Sequence, residues 1–168
     1  MEDKTNVMRL LDKKKISYKV YNLYEKNMIL DEIVTHNSLD IANILNINPN
    51  MMFKTLVTVG KSNNHYVFVV PCNSELDLKK SAKVVKEKSI AMVKSKELLA
   101  LTGYVHGGCS PIGMKKFFTT TIHQTAQDFD SIVFSSGKIG ILLEVKVQDI
   151  SKIIRFSFAD IIVQSEDR

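Results

Sequence analysis

Six of the seven glycines of this chain fall in two short stretches, Gly103 to Gly113 and Gly137 to Gly140. Glycine admits backbone conformations closed to other residues and lets another group come close to its peptide N–H. Two such clusters call for two tight loops, each able to meet a neighbour or a ligand at backbone distance. The seventh glycine opens Gly60-Lys61-Ser62-Asn63-Asn64, a stretch with the composition of a hairpin loop. The apolar runs Met52 to Val59 and His65 to Val70 flank it and are expected to pair as antiparallel strands.

Elsewhere the chain switches between helical and strand periods. Val7, Met8, Leu10 and Leu11 repeat at helical spacing behind Thr5, a suitable N-cap, and the helix runs out in Lys13-Lys14-Lys15. Ser17 to Tyr24 alternates and is rich in tyrosine and valine, as a strand is. Ser38 is the expected cap of a second helix that Asn48-Pro49 closes, Asp77 of a third through Val85, and Ser95 of a fourth that Gly103 ends. Ser89 to Val93, Phe117 to Ile122, Ser131 to Phe134 and Ile139 to Val145 read as further strands, with a helix from Gln148 to Ile154. This order predicts an α/β fold, a single domain over residues 1–168 with a mixed, barrel-like sheet surrounded by helices.

Composition agrees with one packed core. The chain has 168 residues, 45% of them hydrophobic and 24% charged, with three prolines, which excludes disordered and collagenous classes. No apolar run approaches the roughly 20 residues of a membrane-spanning helix. The N-terminal Met1-Glu2-Asp3-Lys4-Thr5 lacks the basic start and apolar core of a secretory signal, so a cytoplasmic location is expected. Cys72 and Cys109 form no CxxC, and the four histidines show no HxxxH or HExxH spacing, so neither a metal nor a cofactor is expected. The net charge of +5 permits an anionic partner. Its densest region holds Lys79, Lys80, Lys83, Lys86, Lys88, Lys94 and Lys96, which reads equally as a track for an RNA backbone or as a solvated helix face.

Lys54 is the one charge inside the strand Met52 to Val57, where period two gives it the same face as Met52 and Leu56. An unpaired buried ammonium is costly, so this lysine either snorkels to water or stands at the mouth of a pocket, where it grips a phosphate or carbonyl oxygen. His106 and Cys109 raise a Cys/His nucleophilic pair; with nothing to orient the histidine, Cys109 reads better as a small packed hydrophobe.

Phe53-Lys54-Thr55-Leu56, Leu76-Asp77-Leu78-Lys79-Lys80, Gly103-Tyr104-Val105-His106-Gly107-Gly108-Cys109-Ser110-Pro111-Ile112-Gly113, Ser135-Ser136-Gly137-Lys138 and Phe158-Ala159-Asp160-Ile161 together resemble the YbaK/EbsC family, related to the editing domain of bacterial prolyl-tRNA synthetase. The resemblance implies a freestanding trans-editing enzyme that hydrolyses the ester of a mischarged tRNA, in the nearest branch cysteinyl-tRNA with a proline anticodon. It implies prolyl-tRNA synthetase as a partner, leaves monomer or dimer open, and has the substrate's own thiol attack its ester with no protein nucleophile.

Carried onto this chain, Lys54 grips the terminal phosphate or polar groups, the Gly107 and Gly108 backbone faces the carbonyl, Ser135 holds the aminoacyl group and Tyr24 lines its pocket. Thr55, Ser136, Gly137 and Lys138 complete the substrate-binding set. Asn37 stands where cysteine-specific members carry an aromatic residue, and Leu142 where they carry an aspartate, which shifts the expected pocket polarity. Two other readings remain at this level: an alanyl- or seryl-tRNA deacylase that uses water, and a non-catalytic module that binds an aminoacyl-tRNA end or a small ligand.

Overall fold

A computed structural model describes residues 3–164. The Thr5 hydroxyl accepts the Met8 N–H and starts α1 (Asn6–Lys13), which turns Val7, Met8 and Leu11 inward. The next strand, β1 (Tyr18–Asn22), is shorter than Ser17 to Tyr24, because the Asn22 side chain accepts the Tyr24 N–H and begins a 3-10 turn over Leu23–Lys26. One helical turn that the periodicity does not announce, α2 (Leu30–Ile33), precedes α3 (Ser38–Leu45). Asn37 caps α3, not Ser38: its side-chain carbonyl reaches the Asp40 N–H at 2.9 Å.

The hairpin forms as read, from β2 (Phe53–Gly60) and β3 (His65–Pro71), with Lys54 opposite Val70. Asp77 caps α4 (Leu78–Val84) by accepting the Lys80 N–H at 3.0 Å, and β4 (Ile90–Met92) returns to the other edge of β2. The following helix, α5 (Ser95–Thr102), is preceded by Lys94 without a side-chain cap, so Ser95 lies inside it, and Gly103 ends it. After the long glycine loop come β5 (Thr119–His123), β6 (Ser131–Lys138), β7 (Ile141–Lys146), α6 (Val147–Ile150) and a short strand absent from the expected set, β8 (Ser157–Ala159). The terminal helix is one turn, not the run from Gln148 to Ile154.

Instead of one barrel-like sheet, the strands divide. Antiparallel β1-β7-β6 makes one sheet; β4-β2-β3-β5-β8 makes a mixed one in which β3, β5 and β8 are parallel. Among the described residues a single isolated parallel bridge, Met52 to Val133, links them, so the barrel stays open. Between the sheets lies the main core, with Val57, Val67 and Val69 from one side, Phe134, Leu143 and Val145 from the other, and α1 closing it. Val133, Leu142 and Tyr21 face a second cluster with Ile33, Ala42 and Leu45, and α4 covers Phe68 and Val70 on the outer face of the larger sheet. No helix among the described residues is long and apolar enough to cross a membrane.

The C-terminal segment is tied down by charge and by a buried histidine. Lys80 pairs with Asp160 at 3.0 Å and donates to the Ile162 carbonyl at 2.9 Å, which takes it out of any free lysine track. His123 is 3% exposed, and its Nδ1 accepts the Ile161 N–H at 3.2 Å. Burial holds its pKa below the ordinary 6.5 despite the neighbouring Asp160 carboxylate. The unfolded chain therefore binds this proton first, so the stability it contributes is complete above 6.5 and declines as pH falls from there toward the folded value. Denaturant titrations on either side of that range should show this loss. His123→Asn, whose side-chain oxygen can accept the same N–H, should flatten the decline; an unchanged slope would remove His123 as its cause.

Candidate active site

The two glycine loops meet around one buried side chain. Tyr104 follows the helix-ending Gly103 and is 7% exposed; its hydroxyl donates to the Ile112 carbonyl at 2.5 Å. A Cβ on Gly113 would stand 2.7 Å from that hydroxyl, and one on Gly137 would stand 2.8 Å from the ring. The phenol is thus wedged between the backbones of both loops, at contact distances only glycine allows. Burial pushes its pKa up to about 12, so it stays a neutral donor.

Val105 to Gly108 form a turn closed by the Gly108 N–H donating to the Val105 carbonyl at 3.0 Å, with Gly107 third at φ 88°. That is the type II position that glycine fills. The Gly108 N–H is therefore engaged in the turn, and Gly107 keeps the donor that can still meet a carbonyl. What Gly108 provides is close approach, since a Cβ there would lie 3.2 Å from the Ile139 nitrogen.

Facing it is the tip of the β6–β7 hairpin. The strands lose register between Ser135 and Lys138, where the Ser135 hydroxyl accepts the Gly137 N–H at 3.1 Å and the Ser136 hydroxyl the Lys138 N–H at 3.4 Å. Tyr24 secures the tip from the other side: its hydroxyl donates to the Ile139 carbonyl at 2.8 Å, and the Lys138 ammonium stands 5.3 Å from its ring centre. Leu142 lies directly across from Ser135, on the face shared with Val133 and the α2–α3 cluster.

The Met52–Val133 bridge brings Lys54 to this assembly. In a parallel register, the residues two beyond it are Lys54 on β2 and Ser135 on β6, on the face of Met52 and of Val133 respectively. Lys54 also lies close to Cys72, whose thiol burial raises while the Lys54 charge and a hydrogen bond from Ser38 work in the opposite direction. Neither Cys72 nor Ser38 is singled out for the site by sequence pattern, because both reach Lys54 only through the β2–β3 pairing and the packing of α3. Thr55 shares the inward face of Phe53 and Val57; its Oγ1 is buried with no hydrogen-bond partner among the described residues. A hydroxyl left so is a candidate contact for a bound ligand.

Asn37 stands next to Ser38 at the start of α3, exposed, with its side-chain oxygen accepting the Asp40 N–H. Cys109 is buried and burial pushes its thiol up to about 12, so no thiolate is available near neutrality, and His106 is exposed in the turn. Two clefts lie apart from these residues, around the end of the long glycine loop from Pro111 to Phe118.

A family model described as an aminoacyl-tRNA editing domain matches residues 34–153. A protein of Enterococcus faecalis, EbsC, whose name assigns it the deacylation of Cys-tRNA(Pro) and Cys-tRNA(Cys), is 40% identical over 161 residues, covering 95% of this chain and 94% of its own. Among solved structures, one described as a trans-editing enzyme for prolyl-tRNA synthetase superposes with a TM-score of 0.79 at 19% identity, covering 94% of this chain and 95% of its own. A scaffold used for computational epitope grafting gives 0.79 at 18% identity over the same shares. At these identities the two structures speak for the fold.

Gly137→Ala should force the Tyr104 ring aside and strain a position at φ 98°. The expected cost is about 2–4 kcal/mol, read as a fall in Tm of roughly 5–10 °C. An unchanged Tm would remove the wedge. Cys109→Ala should keep full activity toward an aminoacyl ester; a folded but inactive variant would restore the thiol as nucleophile.

Proposed function

The chain belongs to the aminoacyl-tRNA editing domain family and is an aminoacyl-tRNA deacylase; we propose that it clears mischarged tRNA in trans, as one editing domain over residues 1–168, with cysteinyl-tRNA bearing a proline anticodon as its preferred substrate. The name of the Enterococcus relative supports that choice of aminoacyl group and, through its proline tRNA, a link to prolyl-tRNA synthetase.

The observation that carries the reading is the meeting of the two glycine loops beside Lys54 and Ser135. An aminoacyl ester is already activated, so holding its reacting atoms together and stabilising the charge on its carbonyl oxygen supply most of what hydrolysis needs. The Gly107 N–H donates to that oxygen as the carbon becomes tetrahedral. The Lys54 ammonium grips the terminal phosphate or sugar oxygens and fixes the ester in register with it. The Ser135 hydroxyl, held by the Gly137 N–H, keeps its own proton to donate to the aminoacyl group. Tyr24 and Leu142 bound the amino-acid pocket, Thr55 offers its unpaired oxygen, and Ser136, Gly137 and Lys138 shape the wall.

Cys109 offers no thiolate near neutrality, and in this reading the attacking group is the substrate's own thiol. Its sulfur bonds to the ester carbonyl carbon, the carbon–oxygen bond to the tRNA sugar breaks, and the thiol proton passes to the departing sugar oxygen. The cyclic thioester so formed is then opened by water. Leu142 beside Ser135 gives this pocket an apolar wall suited to a thiol. The same wall leaves an alanyl or seryl ester, attacked by water, as the second reading.

A panel of cysteinyl, alanyl and seryl esters on one tRNA tests the choice: cysteinyl should be cleaved fastest, and faster cleavage of alanyl or seryl esters would overturn it. Lys54→Ala should lower kcat/KM by about 10²–10³-fold with Tm unchanged. Full activity in that variant would displace the site.

A further inference from the structure

The loop that begins at the glycine turn ends in a pair of clefts that the chemistry above does not use. One, of about 450 Å3, runs from Pro111 and Gly113 past Met114 to Lys116, Lys152 and Arg155. The other, of about 390 Å3, adjoins His65 and Tyr66. They share Lys116, Phe117 and Phe118, so Phe117, 56% exposed, stands as a ridge between them. Among the described residues no carboxylate lines either cleft. Lys152 is paired with Asp149 at 2.7 Å, whereas Lys116 and Arg155 enter no ion pair among the described residues. Both point over aromatic rings instead, Arg155 at 5.2 Å from the Phe117 centre and Lys116 at 5.5 Å from that of Phe118.

A large aromatic ring left in water beside two cations without an ion pair, in a groove that no described carboxylate lines, matches a polyanion that also carries flat, stackable groups. Its place favours RNA over an acidic protein surface. Along β3, His65 at the cleft and Val70 opposite Lys54 are five residues apart, about 17 Å at strand rise. A nucleic acid whose 3′ end is held at Lys54 has its next nucleotides within that reach.

Resting on the deacylase reading above, we propose that Lys116, Arg155 and Phe117 form a second tRNA-binding surface. The two cations contact acceptor-stem phosphates, and the ring packs on a base or sugar near the 3′ end. This surface sets affinity for tRNA and takes no part in the chemistry at the ester. It is distinct from the lysine-rich stretch around α4, where Lys80 is committed to Asp160.

The test compares two substrates and one binding measurement. With Lys116→Glu combined with Arg155→Glu, kcat/KM for full-length cysteinyl-tRNA should fall about tenfold or more, while cleavage of a cysteinyl ester on a short CCA oligonucleotide stays at the wild-type rate, which also reports that the variant is folded. Binding of uncharged tRNA should weaken in parallel, with the slope of log K against log salt shallower by about 0.7–0.9 for each cation lost. Phe117→Ala should weaken tRNA binding with little change in that slope. Equal losses on long and short substrates, or unchanged tRNA binding, would overturn the proposal. So would loss of prolyl-tRNA synthetase binding with tRNA binding intact, which would make the surface a protein interface. Should the wild type cleave neither substrate, the deacylase reading fails, and the uncharged-tRNA arm still decides the surface.

Discussion

Tyr104 joins two loops that come from distant parts of the chain. Its ring lies against Gly137, its hydroxyl against Gly113 and the Ile112 carbonyl, and the turn beginning at Val105 follows it directly. A larger residue at either glycine would push the loops apart, and the Gly108 to Ile139 backbone contact would open with them. The free Gly107 N–H and the Ser135 hydroxyl keep their relation only while that contact holds. A buried phenol with one good acceptor supplies such rigidity without placing a charge beside the substrate.

The division into two sheets serves the same end. A closed barrel would pair β2 with β6 throughout; here they touch through the Met52–Val133 bridge and then part. Lys54 and Ser135 emerge where the sheets separate. The lysine needs no burial in the main core, and the serine borrows its environment from the α2–α3 cluster.

What was legible in the sequence was local. Thr5 and Asp77 cap helices because a side-chain oxygen three residues ahead of an N–H is a matter of spacing, and the hairpin of β2 and β3 follows from two apolar runs around polar loop residues. The glycine clusters showed that two tight loops exist. What escaped is partly a choice between neighbouring residues and partly a matter of residues far apart in the chain. Asn37, not Ser38, caps α3. The engagement of the Gly108 N–H within its own turn cannot be read from composition, nor can the approach of Cys72 to Lys54 across the hairpin end. The single bridge between the sheets depends on one pairing, Met52 with Val133, and no periodicity encodes it.

The proposed mechanism places the ester carbonyl against the Gly107 backbone, between loops that Tyr104 holds together, with Lys54 on the nucleotide side. A structure of the protein bound to a non-hydrolysable amide analogue of the cysteinyl-adenosine end would show whether it does. The analogue's carbonyl oxygen should stand about 2.7–3.1 Å from the Gly107 nitrogen, with the Lys54 ammonium on a sugar or phosphate oxygen. An analogue seated with its carbonyl away from Gly107, or on the Cys109 side of the loop, would contradict this placement.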